Sequence, residues 1–206
     1  MRIRAPAALP EVTPIEPVLR AEPFDDPAYQ FEPKYDGFRG ILYLRGMDAA
    51  FRSKRGHPLG RFDRLAQLVR QGLGRPEAIL DGEILAIDAE GRQSFADLRA
   101  GRGQLHYAVF DILWLDGKDL RGQPLVGRRR HLHKLIPVTG AAVSRVYAVE
   151  RRGRDLFRAV EQLDLEGIIA KRKSDAYGPA TTWYKVRNRA YTQMEGRAEL
   201  FSRFDR

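Results

Sequence analysis

The sequence has no cysteine. That excludes disulfides, a thiolate metal site and a cysteine nucleophile, and it suits a reducing cytoplasm. No stretch approaches the roughly 18 apolar residues of a membrane span. The N-terminus has no secretory signal pattern, so neither a leader nor a membrane role is expected. Negative charge is also in short supply: 27 acidic residues face 36 Lys and Arg, a formal net charge of +9. The deficit is uneven. Residues 1–33 carry three basic groups (Arg2, Arg4, Arg20) and six acidic ones (Glu11, Glu16, Glu22, Asp25, Asp26, Glu32), a sum of −3, which leaves +12 for the remainder. Such a surplus suits a polyanionic partner, nucleic acid first, although many basic proteins are merely soluble.

With 206 residues, 43% of them hydrophobic and 31% charged, the chain fits a soluble globular protein with a sizeable core. Proline is concentrated at the start, with seven of the twelve in residues 1–33. Proline removes a backbone donor and disfavours helix before it. Residues 1–27 are therefore read as an extended arm, 28–190 as the main domain and 191–206 as a short tail. In that tail Leu200, Phe201 and Phe204 are expected to pack back.

One stretch organises the rest: Glu32-Pro33-Lys34-Tyr35-Asp36-Gly37-Phe38-Arg39. Lysine is a nucleophile only after losing its proton, which burial or a cation such as Arg39 promotes. In a strand, Lys34 and Asp36 share a face. Gly37 permits a tight turn or a close ligand. Alone, the stretch also reads as a surface salt bridge before a turn.

A short strand, Tyr29 to Phe31, leads into it, and Phe38 to Leu44 follows as another. Ser53-Lys54-Arg55-Gly56-His57 is a cationic loop able to meet phosphate, or a solvated hairpin tip. Arg61 to Gln71 has helical spacing, with Phe62, Leu65, Leu68 and Val69 on one face. Ala78 to Asp88 places Asp81-Gly82-Glu83 between apolar segments. Two carboxylates there are costly unless they meet a cation, a metal or a ligand hydroxyl. A turn at Asp81-Gly82 is the alternative, but Ile84-Leu85-Ala86 argues that Glu83 lies inside a sheet.

Ser94 to Arg99 is a short helix candidate. Tyr107 to Gly117 is a core strand and turn, in which an aromatic can also wall a base pocket. Pro124 to Ile136 is a helix with Leu125, Leu132, Leu135 and Ile136 on one face and Arg128, Arg129, Arg130, His131, His133 and Lys134 largely outside it. Ala141 to Val149 reads as one strand, and Asp155 to Leu163 as a packing helix. In Leu165 to Arg172, period two puts Glu166, Ile168 and Ala170 on one face. In Trp183 to Arg187, Lys185 and Arg187 share a face, which is wrong for a core and right for an anion site.

Taken in order, six motifs stand out. They are Lys34-x-Asp36-Gly37-x-Arg39, Ser53-Lys54-Arg55-Gly56, Asp81-Gly82-Glu83, Tyr107-Ala108-Val109-Phe110-Asp111, Glu166-Gly167-Ile168-Ile169-Ala170-Lys171 and Trp183-x-Lys185-x-Arg187. This set resembles the covalent nucleotidyltransferases, and more closely the adenylation domain of ATP-dependent DNA ligases, bacterial repair ligases in particular. Pro14-Ile15-Glu16-Pro17 and Glu22-Pro23-Phe24-Asp25-Asp26-Pro27 are similar to that group too, so the likeness runs over nearly the whole chain.

The resemblance implies an α+β fold, two antiparallel sheets packed with helices around a nucleotide cleft. It implies that Lys34 attacks the α-phosphate of ATP, releases pyrophosphate and carries AMP as a phosphoramidate. Glu32 would lie near the adenine edge and Phe110 would stack on the base. Arg39 and Glu83 would contact the ribose side or the DNA end, with Lys54 at phosphate or ribose. Glu166, with Glu83, would hold Mg²⁺ or Mn²⁺, and Lys171, Lys185 and Arg187 would surround the phosphates. Asp36 would assist the later attack by a nucleic-acid hydroxyl. Such chemistry is mostly positioning and charge neutralisation.

Two positions depart from the family pattern: Lys54 stands where arginine is usual, losing its fork geometry, and Arg187 where lysine is common. Family ligases continue into an OB-fold barrel. After Arg187 only 206 − 187 = 19 residues remain, fewer than the roughly 25 that five strands need, so no barrel is expected on this chain. Three activities follow from that: a minimal monomeric ligase sealing nicked double-stranded DNA in repair, alone or with a partner's barrel in trans; a self-adenylating enzyme with another acceptor such as RNA; or a non-catalytic nucleic-acid-binding remnant. If the basic surplus meets DNA mainly through phosphates, binding is weak and falls steeply with salt. A fluorescence-anisotropy titration in rising NaCl checks this, and a flat affinity contradicts it.

Overall fold

The computed structural model describes residues 9–88, 91–137 and 139–194. The expected packing of Leu200, Phe201 and Phe204 lies outside them. In chain order the strands are β1 (Val18–Leu19), β2 (Asp25–Lys34), β3 (Phe38–Arg45), β4 (Asp48–Arg52), β5 (Ala78–Ile87), β6 (Gln104–Leu115), β7 (Lys118–Asp119), β8 (Val143–Arg145), β9 (Val149–Arg152), β10 (Gly167–Arg172) and β11 (Tyr184–Arg187). The helices are α1 (Asp63–Gly72), α2 (Phe95–Ala100), α3 (Leu125–Leu135) and α4 (Gly153–Gln162).

The strands form two sheets, ordered β1-β11-β10-β2-β9 and β4-β3-β5-β6-β7, with β8 added against β6. Pairing is antiparallel except β1 on β11 and β8 on β6. The α+β architecture of two sheets and helices is thus as the motifs implied.

Alternation along each strand sorts side chains into layers. On β3, Leu42 and Leu44 face a large core with Phe62, Leu65 and Val69 from the α1 region and Leu132 from α3. Ile41 turns the other way and meets Ile79, Leu113, Tyr177, Trp183 and Ile15. This second cluster lies between the sheets, because Ile169 of β10 packs against it. Phe31, Ile168, Ala170 and Val186 on the far face of the first sheet are covered by Leu156 and Val160 of α4. The proline-rich arm is laid along this body. Arg20 N–H donates to the Lys185 carbonyl at 2.9 Å, and Tyr43 Oη accepts from Val12 N–H at 3.2 Å.

Four expectations need correction. The segment Ala141–Val149 is not one strand. It splits into β8, on the second sheet, and the start of β9, on the first, so the chain crosses between sheets there. The Tyr29–Phe31 strand is really the ten-residue β2. Leu68 and Leu163 are exposed, Leu163 because α4 ends at Gln162 and leaves it as the cap. Arg128 is fully buried rather than outside the apolar face.

Arg128 is buried because Asp111 is there to meet it. The guanidinium donates from Nε to Asp111 Oδ1 at 2.8 Å and from Nη2 to Oδ2 at 2.9 Å, and Nη1 donates to the Gln123 and Asp175 carbonyls. Asp111 sits at a register shift in the β5–β6 pairing, between the Asp81↔Asp111 and Gly82↔Val109 partners. Such a bulge re-aims a side chain. Removing one partner of a fully buried pair strands the other charge. Arg128→Ala should therefore cost about 3–5 kcal/mol, read by urea unfolding. Arg128→Met with Asp111→Leu should cost clearly less than Arg128→Ala alone.

Candidate active site

The two sheets diverge on one side to leave a cavity of about 820 Å³. That size suits a nucleotide-scale ligand. Its walls are the ends of β2, β3, β5, β6, β10 and β11, together with the arm, the loop after β4, and α2. Six paired strands thus hold fixed registers around one space.

Lys34 closes β2 opposite Gly167 of β10. Its side chain is 24% exposed to the cleft, and its ammonium is in ion-pair contact with the Glu166 carboxylate, itself 6% exposed. The expected face of Glu166 is corrected here. Ile168 and Ala170 point to the α4 side, whereas Glu166 reaches Lys34. Gly167 breaks the alternation with φ +150°, and a Cβ there would lie 2.1 Å from the Val186 carbonyl oxygen. Asp36 also leaves the expected pattern. It lies on the turn after β2, is 3% exposed and does not line the cavity. Its carboxylate accepts from Tyr191 Oη at 3.3 Å, and its N–H donates to Gln93 Oε1 at 3.2 Å.

One end of the cavity is aromatic and charged. Glu32 and Lys171, both buried, form an ion pair of 2.6 Å. Glu32 also accepts from Gln30 Nε2 at 2.8 Å and from Arg129 at 3.4 Å. Burial pushes the Lys171 ammonium below its usual range, and Glu32 opposes that shift. Its Nζ sits 4.2 Å from the Phe110 ring centre and 4.1 Å from that of Trp183. Those two rings meet edge to face at 5.9 Å. Phe110 therefore lines the cleft as expected, and Trp183 is a second wall. Trp183 was legible from its shared alternation with Lys185.

Beyond Lys34, Arg39 and Glu83 are cross-strand partners on β3 and β5. Arg39 forks onto Asp81, Nε to Oδ1 at 3.0 Å and Nη2 to Oδ2 at 2.6 Å, while Tyr177 Oη donates to Oδ2 at 2.6 Å. This is the cation the buried Asp81 required. Glu83 is half-buried and, among the described residues, its carboxylate accepts no hydrogen bond and joins no ion pair. Desolvation raises its carboxyl to about 7, against the pull of Lys34 and Arg39. Lys54 and Lys185 line the cleft, Lys54 lying 3.4 Å from Glu16 of the arm. Arg187 is exposed at the end of β11 and does not line it. Glu16 and Arg99 do line it and were not singled out from the sequence. Each is an exposed charge in a segment with no periodic pattern to mark it.

A cleft-facing lysine amine, a carboxylate in contact with it, a flat aromatic slot and several inward cations can bind a nucleotide and attack its phosphate. Three comparisons point the same way. Residues 12–187 match the family described as "ATP dependent DNA ligase domain". The "Multifunctional non-homologous end joining protein LigD" of Pseudomonas aeruginosa is 32% identical over 169 residues, which cover 77% of this chain and 20% of that protein. The "DNA ligase C1" of Mycolicibacterium smegmatis is 30% identical over 193 residues, covering 83% of this chain and 55% of that protein. A solved "mycobacterial DNA ligase D complexed with ATP and MES" superposes with a TM-score of 0.74 at 26% identity, over 85% of this chain and 60% of that one. The chain thus spans about a fifth of the LigD relative and just over half of the ligase C1.

The raised Glu83 carboxyl has a measurable consequence. Its folded value of about 7 lies above the unfolded 4.5. Folding is therefore favoured by this group below the unfolded value, and that contribution is lost as pH rises through the folded value. In metal-free buffer, Glu83→Gln should gain Tm relative to the parent as pH rises from about 5 to about 8. Parallel Tm curves would contradict the assignment.

Proposed function

We propose, because the chain belongs to the ATP-dependent DNA ligase domain family, that it is a nucleotidyltransferase whose Lys34 takes AMP from ATP and passes it to the 5′-phosphate of nicked DNA. The observation that carries this is Lys34 at the cleft floor, in contact with Glu166 and framed by the Glu32–Lys171 and Arg39–Asp81 pairs. The adenine would lie against Phe110 beside Glu32. The phosphates would lie toward Lys54 and Lys185, with Arg39 held flat against the ribose side by Asp81. Nicked DNA, action in repair and a cytoplasmic setting are part of this reading, by analogy with the LigD and ligase relatives.

A paired ammonium is not nucleophilic, so Glu166 has two tasks. It fixes the amine in place, and it is the nearest group to take the proton. In the first step the Lys34 Nζ–P bond forms and the bond from the α-phosphorus to the pyrophosphate oxygen breaks. The amine proton leaves to Glu166 or solvent. Next an oxygen of the DNA 5′-phosphate attacks the same phosphorus and the P–N bond breaks, returning the amine. Finally the 3′-hydroxyl attacks the DNA phosphorus, AMP leaves, and Asp36 assists loss of the hydroxyl proton.

A divalent ion fits Glu83, the cleft carboxylate left without a partner among the described residues, with Glu166 beside it. One or two carboxylates plus substrate oxygens is what Mg²⁺ prefers, and Mn²⁺ takes the same hard donors. Bound there, it would offset negative charge on the phosphates. No group of three or more His, Asp or Glu among the described residues could hold an ion without substrate oxygens.

Incubation with ATP labelled at the α-phosphate and Mg²⁺ should give a labelled protein that keeps its label in denaturant and alkali and loses it in acid, as a P–N bond requires, and a nicked duplex should be sealed. Lys34→Ala should lose both activities. Label that survives Lys34→Ala would sink the proposal.

A further inference from the structure

Lys34, Arg39 and Glu83 are aimed by strand register. Asp36 is not: it sits on the turn between β2 and β3, where no ladder fixes a side chain. Something else must hold it. The segment just after β11 does so. Asn188, 1% exposed, donates its N–H to the Glu166 carbonyl at 2.9 Å and its side-chain amide to the Leu165 carbonyl at 3.1 Å. Three residues on, Tyr191, 2% exposed, donates its hydroxyl to Asp36 Oδ2 at 3.3 Å. Gln193 then bridges to α2. Its amide donates to the Gln93 carbonyl and its Oε1 accepts from Phe95 N–H, both at 3.2 Å. Gln93 in turn accepts from the Asp36 N–H.

Asn188, Tyr191 and Gln193 therefore tie together the backbone behind Glu166, the carboxylate of Asp36 and the helix that lines the far lip of the cleft. We propose that these three residues are a positioning clasp for the reaction, with Tyr191 orienting the Asp36 carboxylate through its hydroxyl and Asn188 fixing the strand entry behind Glu166. The inference rests on the proposed function, since it matters only if Asp36 acts on the nucleic-acid end. The Tyr191 hydroxyl is suited to the task. Burial, then the Asp36 charge, pushes it far above its ordinary value, so it stays a donor at every working pH. Tyr191 does not line the cavity and would act only through Asp36, so it is a positioning residue and not a catalytic one.

The test separates clasp from scaffold. Thr192, the neighbour of Tyr191, donates its backbone and side chain to Asp164, away from Asp36. Tyr191→Phe and Thr192→Val are made in the whole chain. Each is assayed, at a temperature where both are folded by circular dichroism, for lysyl-AMP formation and for single-turnover sealing of a nick already carrying the 5′-adenylate. The clasp predicts that Tyr191→Phe slows the sealing step roughly tenfold, the value of one hydrogen bond to a charged group. Its apparent affinity for the adenylated nick and its lysyl-AMP formation stay unchanged, and Thr192→Val behaves as the parent. Sealing by Tyr191→Phe at the parental rate, or an equal loss in Thr192→Val, overturns the inference and leaves the proposed function standing. A parent that forms lysyl-AMP but cannot seal the adenylated nick also overturns it. A parent that forms no lysyl-AMP overturns the proposed function itself.

Discussion

Lys34 on β2 and Glu166 at the entry to β10 meet because the two strands are antiparallel neighbours, with Lys34 paired to Gly167. Everything else in the cleft is arranged about that contact. An amine with no nearby carboxylate would have no defined place and no local proton acceptor. The same amine in a dry core would resist charge altogether. Here it is partly exposed, with its partner buried behind it, so the charge is anchored from below and open to a phosphate from above. Gly167 makes this possible, since any side chain there would strike the carbonyl of Val186.

The surrounding charges obey the same rule. Three buried carboxylates each find a cation: Asp81 finds Arg39, Asp111 finds Arg128 and Glu32 finds Lys171. Removing one member of such a pair is costly, while the pair itself adds little stability. The pairs are better understood as devices that fix direction. Arg39 cannot rotate away from the cleft while Asp81 and Tyr177 hold it. Lys171 is held between Glu32 and two aromatic faces. Among the described residues Glu83 is the cleft carboxylate whose side chain has no such partner, and burial raises its pKa against the pull of Lys34 and Arg39.

Much of this was legible because strands encode their faces. The apolar run after Glu83 placed it inside a sheet, alternation turned Lys185 to the face that lines the cleft, and the cost of a buried Asp81 called for a cation. Where the reading failed, tertiary structure had overridden local pattern. Helix spacing could not show that Arg128 meets a carboxylate brought round by a bulge in β6. Period two could not carry Glu166 past a glycine at positive φ, nor Asp36 round a turn. Ala141–Val149 reads as one apolar strand, yet the chain changes sheets within it. Arg99 lies in a short helix candidate and Glu16 in a proline run, neither of which marks a cleft charge, and the folded cleft reveals them.

The proposed chemistry hangs on a single covalent bond, between Lys34 and AMP. Intact-mass spectrometry after incubation with ATP and Mg²⁺, followed by peptide mapping, tests it directly. The expected result is a gain of one AMP, located on the peptide that contains Lys34 and removed by pyrophosphate. An adduct on another residue, or no adduct on folded protein that pyrophosphate has first stripped, would contradict it.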